Sequence, residues 1–345
     1  MAQVYIALDT HCSTTDMAVV TARGKVIKQD RCMTTIPALW AAITSVPGRR
    51  SVTFEEGPLA GWLARQLRPA VDELLVCDPR RNALIAKDSD KNDPLDALKL
   101  AHLFRGGYLK PVHQASSQER ALLKQHVALY HDRVRDRVRQ GHQLIAQLRR
   151  HGVMDSIDKI VDEAQRPAWW KKLPAGPVLH QDLKLLLAMY ALYCQQEEEL
   201  RKTLIRLARR EEPVRRFQEV PGVGWIRAVT FYVYLDTPHR FASKSKLWRY
   251  CGLGLEKRGS GSGPMRTRLC RQGNRYLKCT LIGAAQSALR GESPYGQRYR
   301  WWIEQGLPPS TARRNVARHL ATTLWCLWKE GGRYDPARVC PLTTK

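Results

Sequence analysis

The sequence lacks any apolar run near the roughly 20 residues that a membrane-spanning helix needs, and it lacks a signal-peptide pattern. It also has no Cys-x-x-Cys pair: the nine cysteines are scattered, and no histidine stands at zinc-binding spacing from them. These absences argue against a membrane protein, a disulfide framework and a structural zinc site. We therefore expect a cytoplasmic protein with reduced thiols.

Acidic residues are scarce relative to basic ones. The chain has 57 Lys and Arg against 32 Asp and Glu, a formal net charge of +25. The imbalance is uneven, since residues 1–110 hold 15 bases and 12 acids, whereas residues 240–345 hold 21 bases and 5 acids. So large a positive charge indicates a polyanionic partner. Lys and Arg side chains that neutralise phosphates release the counterions bound to them, and this release favours binding. Nucleic acid is the leading candidate, with the C-terminal segment as its contact region.

The first hundred residues alternate between strand and helix patterns. Short apolar runs bounded by Gly, Pro and Asp predict strands at 4–8, 17–22, 25–29, 51–54 and 74–77, with helices at 37–46, 59–68, 80–86 and 93–104. Three leading strands followed by alternating helices and strands is the order of a ribonuclease-H-like fold. The predicted fold class is α/β plus α, with this domain at residues 1–112.

Long helices follow this domain. Apolar residues at helical spacing predict one helix from about Ser117 to 148 and another over about 180–211, joined by an irregular segment at 167–174. We expect a coiled-coil-like, oligomerising region at 113–212. No strict heptad is sustained, so pairing within one chain and pairing between chains stay equally open.

A Pro-Gly-Val-Gly turn opens the remaining part, residues 213–345, which is predicted to be mainly helical. The turn lies between two apolar helical stretches and is typical of a helix-hairpin-helix, in which turn amides and the next helix N-terminus hold a DNA phosphate. Gly222 and Gly224 are the expected contacts. The alternative is a plain turn between two helices.

Four carboxylates occupy positions suited to a metal site. Asp9 ends one predicted strand and Glu55 ends another, while Asp93 and Asp96 lie three residues apart on one helix face. Clustered carboxylates repel each other unless a cation offsets the charge, and oxygen ligands suit Mg²⁺. We predict two Mg²⁺ ions, as in phosphodiester chemistry. Glu56 is the alternative to Glu55, since alternation along a strand lets only one of them face Asp9.

The C-terminal part carries a further motif. Gly252-Leu253 is followed by a Gly-Ser-rich loop at 259–263, a basic run, and Gly273-Asn274. With the acidic residues, Asn92-Asp93-Pro94-Leu95-Asp96-Ala97 and the Pro-Gly-Val-Gly turn, nearly the whole chain resembles the DEDD insertion-sequence transposases, relatives of the Piv-type DNA invertase. Without that pattern, Gly-Ser-Gly-Ser-Gly is typical of a flexible linker.

The resemblance implies a specific activity. Members of that family are RNA-guided DNA recombinases: a structured noncoding (bridge) RNA pairs with donor and target DNA, a RuvC-like acidic domain binds Mg²⁺, and a serine becomes transiently linked to DNA. The serine matches Ser260, with Ser262 as the alternate. The family also implies a dimer or tetramer in which the composite site joins two protomers.

Basic side chains near the serine loop and in the last helix are the predicted nucleic-acid contacts, in addition to the turn glycines. They are Arg266, Arg268, Arg271, Arg275, Arg313, Arg314 and Arg318. Two other functions remain open at this stage. One is a resolvase-like structure-specific endonuclease that uses metal-activated water, and the other is an inactive nucleic-acid-binding protein.

Overall fold

The computed structural model describes residues 2–82, 93–115, 117–258, 266–270 and 272–339. The chain divides into two compact units, Met1–Ser116 and Ser117–Lys345. Within the described ranges, every helix is too short or too polar to cross a membrane.

A five-stranded sheet forms the centre of the first unit. The strands are β1 (Gln3–Thr10), β2 (Thr14–Thr21), β3 (Val26–Met33), β4 (Arg49–Glu55) and β5 (Glu73–Cys77), in the order β3-β2-β1-β4-β5. The first three pair antiparallel, whereas β4 runs parallel to β1 and β5 parallel to β4. This mixed sheet fits the predicted ribonuclease-H-like domain.

Helices cover both faces of the sheet. The helices α1 (Ile36–Thr44) and α2 (Ala60–Leu67) pack on one face, against large residues such as Ile6 and Leu8. The helix α3 (Asp93–Arg105) packs on the other face, where the strands present the small residues Ala7 and Ala18. Small side chains let α3 approach the sheet closely, which brings its first turn to the strand ends.

The sequence located all five strands, with differences at their ends. The strand β3 extends to Met33, beyond the predicted end at residue 29, because this exposed edge strand is held by backbone pairing with β2 and not by an apolar pattern. Part of the predicted helix at 80–86 is a single 3₁₀ turn, Pro79–Arg81, and residues 83–86 lie outside the described ranges.

The second unit is mostly helical. Its helices are α4 (Gln118–Arg149), α5 (Ile157–Val161), α6 (Arg166–Trp170), α7 (Pro177–Ala208), α8 (Glu212–Phe217), α9 (Trp225–Leu235), α10 (Lys244–Tyr250), α11 (Arg275–Ala288), α12 (Pro294–Glu304) and α13 (Pro309–Glu330). The central helix is α9, which is buried from Ala228 to Leu235 and packs against α4, α7, α8 and α11.

The two long helices form an antiparallel pair within the chain. Arg137 on α4 contacts Glu197 on α7 at 2.6 Å, while the later residue Gln140 donates to the earlier carbonyl of Leu186. Both helices belong to the same compact unit as residues 213–345. The connection between them is more regular than expected, because Trp169 on the short helix α6 is buried among leucines of both long helices.

The sequence missed a two-stranded sheet in the second unit. The strands β6 (Leu255–Arg258) and β7 (Arg266–Leu269) pair antiparallel on either side of the Gly-Ser-rich loop. Each strand has only four residues and little apolar character, so no periodic pattern could have revealed it. The loop is therefore the connection of a β-hairpin.

Candidate metal centre and nucleic-acid interface

Sheet register brings Asp9 and Glu55 together. The strands β1 and β4 are parallel, with Leu8 paired to Phe54, so the next residue on each strand is Asp9 and Glu55. Because side chains alternate along a strand, both carboxylates lie on the face that α3 covers. Glu56 follows the end of β4, is exposed, and donates its backbone N–H to Cys77. The geometry therefore favours Glu55 over Glu56 as the partner of Asp9.

The first turn of α3 supplies the other two acids. His11 Nε2 lies 3.4 Å from Asp9 Oδ2 and 3.8 Å from Asp93 Oδ2. One ligand atom from each of these three residues lies within 4.8 Å of the other two, which is compact enough to hold a metal ion. His11 was not among the residues predicted from the sequence.

Asp96 carries the observation that tests the fit of a cation. Its Oδ1 atom is buried and has no hydrogen-bond partner among the described residues. A carboxylate oxygen removed from water without a partner is costly, and a bound cation removes that cost. The set Asp9, Glu55, Asp93 and Asp96 is all oxygen, the donor type that hard divalent cations prefer. The donor type therefore suits a divalent cation, but among the described residues the compact group of ligand atoms comprises Asp9, His11 and Asp93, and Glu55 and Asp96 are not part of it.

Electrostatics at Asp9 agree with a shared site. Burial raises the pKa of Asp9 above its ordinary value, and the nearby charges of Asp93 and Asp96 raise it further, whereas His11 acts in the opposite direction. Negative charges gathered in a partly buried space disfavour one another. A divalent cation would favour the ionised form of all of them.

A fifth carboxylate, missed from the sequence, lies beside Asp9. Asp16 on β2 is the cross-strand partner of Asp9 and is buried. Arg31 on β3 holds it through Nε at 3.0 and 3.1 Å and through Nη2 at 3.0 Å. The same Nη2 lies 3.8 Å from Asp93. The hairpin register between β1 and β2 was the only sequence signal for this residue.

Asn82 is the second missed residue. Its side-chain nitrogen donates to Glu55 Oε1 at 2.7 Å and contacts Cys77 Sγ at 3.4 Å. Asn82 is buried and directly follows the 3₁₀ turn after β5. Partners of this kind orient metal-binding carboxylates.

The base of the β6–β7 hairpin is formed by backbone contacts. A Cβ at Gly273, which has φ of +153°, would overlap the backbone of Gly252. Cys270 N–H donates to Gly254 at 2.9 Å, and Asn274 N–H donates to Tyr250 at 2.7 Å. The sequence pattern Gly-Leu and Gly-Asn therefore marks the place where the two ends of the hairpin meet.

Two family models match the chain. Residues 6–152 match the DEDD transposase model of the IS110 type, and residues 214–300 match the model described as transposase IS116/IS110/IS902 family. The chain belongs to the IS110 family of DEDD transposases. The acidic site lies in the first matched region, and the hairpin base lies in the second.

Individual relatives agree with this family. The chain is 28% identical over 108 residues to "Transposase for insertion sequence element IS1111A" of Coxiella burnetii, which covers 31% of this chain and 29% of that protein. It is 29% identical over 176 residues to "Putative transposase y4pF/y4sB" of Sinorhizobium fredii, covering 48% and 44%. The matches thus span less than half the length of either relative.

The remaining predicted residues of this IS110-family chain fall into three groups. Ser260, Ser262 and Arg271 lie outside the described residues. Arg266 and Arg268 lie in β7, and Arg275 begins α11, with Arg268 and Arg275 exposed. Arg313 and Arg314 are half-buried on α13, where Arg314 donates to the carbonyl of Ser310 at 2.9 Å.

Arg318 departs from the expected role. It is buried, and its Nε donates to the carbonyl of Leu253 at 2.7 Å, while Nη1 donates to Asn315 at 2.6 Å. A guanidinium bonded in this way is not available to a phosphate. Arg318 instead fixes the chain just before β6, so its prediction as a nucleic-acid contact is corrected.

The Pro-Gly-Val-Gly turn lies between α8 and α9. Gly222 has φ of +81°, and a Cβ there would overlap the backbone of α11 at Ala284. Gly224 is exposed at the N-cap of α9, which has no side-chain cap and no acid in its first turn. The first amides of α9 are thus free of an internal side-chain acceptor, as a phosphate contact requires.

Proposed function

We propose that this chain is a DNA transposase that cleaves and rejoins strands in a metal-dependent reaction, with a serine as nucleophile. The metal part of this proposal is carried by the compact group of Asp9, His11 and Asp93, together with the buried, partnerless oxygen of Asp96 in the same helix turn as Asp93. Membership of the IS110 family supports the DNA substrate, and the net charge of +25 supports a polyanionic partner. Action on DNA places the protein at the nucleoid.

Asp9, Glu55, Asp93 and Asp96 would hold the cation, for which we propose Mg²⁺ as two ions. When bound, such ions neutralise the charge that develops on a phosphodiester and stabilise its attacking and leaving oxygens. Asn82 orients Glu55, and Arg31 neutralises Asp16 so that this fifth carboxylate does not add to the repulsion around Asp9.

The serine step is a transesterification. We propose that Ser260, with Ser262 as the alternate, attacks the phosphorus: the serine oxygen loses its proton to water, a serine–phosphorus bond forms, and the bond to the leaving strand oxygen breaks as that oxygen takes a proton. Attack by another strand hydroxyl reverses these steps and joins the strands. The pairing of β6 with β7 supports this role, because it holds Arg258 and Arg266, which flank the serine-bearing segment, opposite each other.

Specificity is proposed to come from a structured noncoding RNA that pairs with donor and target DNA. Phosphate contacts by arginines carry little sequence information, so base pairing with RNA would supply what the protein lacks. The family resemblance supports this role for RNA. The same resemblance supports a dimer or tetramer in which the acidic site of one protomer meets the serine hairpin of another.

The test uses purified full-length protein, RNA transcribed from the flanking noncoding region of its element, and donor and target DNA in Mg²⁺. Wild type, Ser260→Ala, Ser262→Ala and Asp93→Asn are compared on a denaturing gel. We expect a covalent protein–DNA band that requires RNA, Mg²⁺, Ser260 and Asp93. Nicking that survives both serine substitutions would replace the serine mechanism by a resolvase-like one with metal-activated water.

A further inference from the structure

The turn at Gly222–Gly224 has a fixed arginine beside it. Arg227, in the first turn of α9, donates through Nη1 to the carbonyl of Gly222 at 2.7 Å and to the Ser287 hydroxyl on α11 at 2.9 Å. These two bonds tie the guanidinium to the turn and to the neighbouring helix. The side chain is half-buried and already held by these bonds, so it loses little further conformational entropy when it binds a ligand.

The other edge of the same guanidinium carries two N–H donors, on Nε and Nη2. Nη2 and Nε lie over Gly283 of α11, at 3.4 and 3.6 Å from the place where a Cβ would stand. Neither nitrogen has an acceptor among the described residues. Two parallel N–H donors held at fixed spacing match two oxygens of a phosphate group.

A second positive charge, that of Arg290, acts on Arg227. Arg290 is exposed just after α11, and its backbone N–H donates at 3.2 Å to the carbonyl of Ser287, the residue whose hydroxyl Arg227 binds. Burial lowers the pKa of Arg227, and the charge of Arg290 lowers it further. Arg209 lies over the ring of Trp225, the first residue of α9, at 5.6 Å from the ring centroid. No carboxylate forms an ion pair with any of the three arginines within the part of the chain that the structure describes. Like charges gathered in this way repel each other unless an anion joins them.

We propose that Arg227 and Arg290 form a binding site for one phosphodiester group of a nucleic-acid backbone, beside the exposed amides at the start of α9. This inference rests on the proposed function only in assuming a nucleic-acid substrate. Arg227 supplies the fixed two-donor edge, and Arg290 supplies a second, mobile charge. The site positions the backbone and reads no sequence.

The test measures the salt dependence of binding by fluorescence anisotropy with the full chain. Two labelled probes are used, a duplex DNA and an RNA hairpin, at salt concentrations of about 50 to 200 mM. We expect Arg290→Gln to reduce the slope of log affinity against log salt by about 0.9 for the duplex, the value for one lost phosphate contact. The matched control is Arg149→Gln, which removes the same charge from an exposed side chain. Arg149 lies far from α9, since α4 contacts α9 at His131 and Arg149 is roughly 27 Å further along α4.

A double-substitution cycle separates one shared site from two independent charges. If both arginines hold the same phosphate, Arg290→Gln has little further effect on affinity in the Arg227→Gln variant. The reason is that substitutions of residues that share one partner do not have additive effects on free energy. Thermal unfolding checks that Arg227→Gln is folded. If it is not, Arg290→Gln decides alone, since its exposed side chain forms no bond to another described residue.

The outcomes are distinct. A slope change confined to the duplex assigns the site to DNA, and one confined to the hairpin assigns it to RNA; either supports the proposal. Arg290→Gln with the same slope as Arg149→Gln on both probes, while wild type binds them, would overturn this site and leave the proposed function intact. A wild-type chain that binds neither probe would overturn both.

Discussion

The acidic site and the serine hairpin are built in different ways. In the first unit, sheet register places Asp9 next to Glu55, and helix packing adds Asp93 and Asp96, so the site depends on side chains presented by a rigid scaffold. In the second unit, the hairpin base depends on the close backbone approach of Gly252 and Gly273. The comparison predicts that the first region is sensitive to the loss of a charge, whereas the second is sensitive to a single added methyl group.

The largest effect should come from the charge of Asp9. We predict that Asp9→Asn lowers strand cleavage by more than about 100-fold. Loss of a residue that only hydrogen-bonds a metal ligand costs about 10- to 100-fold, and loss of the ligand itself should cost more. Thermal stability should be kept or raised, because one repelling carboxylate is lost from a cluster. Cleavage on a denaturing gel and a thermal melt measure the two effects. Glu56→Gln is the matched control and should cleave as wild type does. If Glu56→Gln lost as much cleavage as Asp9→Asn, the assignment of Glu55 as the ligand would be contradicted.

Asn82 tests whether orientation matters in the same region. Asn82→Ala removes the 2.7 Å bond to Glu55 while leaving every carboxylate in place. We expect metal affinity or cleavage to fall about 10- to 100-fold, the usual cost of losing such a partner. Calorimetric titration with Mn²⁺ measures the affinity. Unchanged affinity and cleavage in a folded variant would mean that Asn82 has only a packing role.

Gly273→Ala tests the backbone-built region. The new Cβ would overlap Gly252 and would force a side chain into a left-handed conformation, so we expect the free energy of unfolding to fall by about 3 kcal/mol or more. Chemical denaturation followed by tryptophan fluorescence measures it, since eight of the ten tryptophans lie in the second unit. Gly291→Ala is the control, because nothing lies within 4 Å of its Cβ. Equal stability of both variants would refute the close approach.

A smaller effect, of pH on stability, is expected in the second unit. Burial lowers the pKa of His131 from 6.5 to about 4, and its Nε2 lies 2.9 Å from the Thr230 hydroxyl. Between about pH 6.5 and 4 the unfolded chain therefore binds a proton at His131, whereas the folded chain does not. Stability falls as the pH drops through this range. This loss is at most about 3 kcal/mol.

His131→Gln should flatten part of that pH dependence of stability. The pKa of His319 is also lowered to about 4 by burial, so some dependence remains in the variant. Urea denaturation at several pH values between 4 and 7 measures the slope. An identical slope in wild type and variant would show that the pKa of His131 does not differ between the folded and the unfolded state.

Much of the first unit could be predicted from the sequence. Short apolar runs bounded by turn residues located the five strands of this unit, and a helical pattern located α3. The positions of Asp9 and Glu55 at the ends of two strands predicted that they lie at one edge of the sheet. The reason is physical: register and alternation are strongly specified where one face of a strand is buried. The sequence also favoured Glu55 over Glu56, because Glu55 directly follows the apolar run, and the end of β4 at Glu55 gives the same preference.

Other features had no local signal. Asp16 and Arg31 meet only through the pairing of β2 with β3, and the hairpin strands β6 and β7 lack an apolar pattern. Arg318 resembles a surface arginine in an Arg-rich helix, yet tertiary packing buries it against Leu253. Propensity and spacing describe a helix face, but they do not describe which neighbour covers that face.

Direct measurement of cation binding tests the central claim. Calorimetric titration of Mn²⁺ into the full-length chain should show binding in wild type and its loss in Asp96→Asn, whose orphaned oxygen would no longer belong to a carboxylate. Asp72→Asn, a substitution near the opposite end of β5 from the site, should bind as wild type does. Equal binding by wild type and Asp96→Asn, with both folded, would contradict the assignment of these carboxylates as a metal centre.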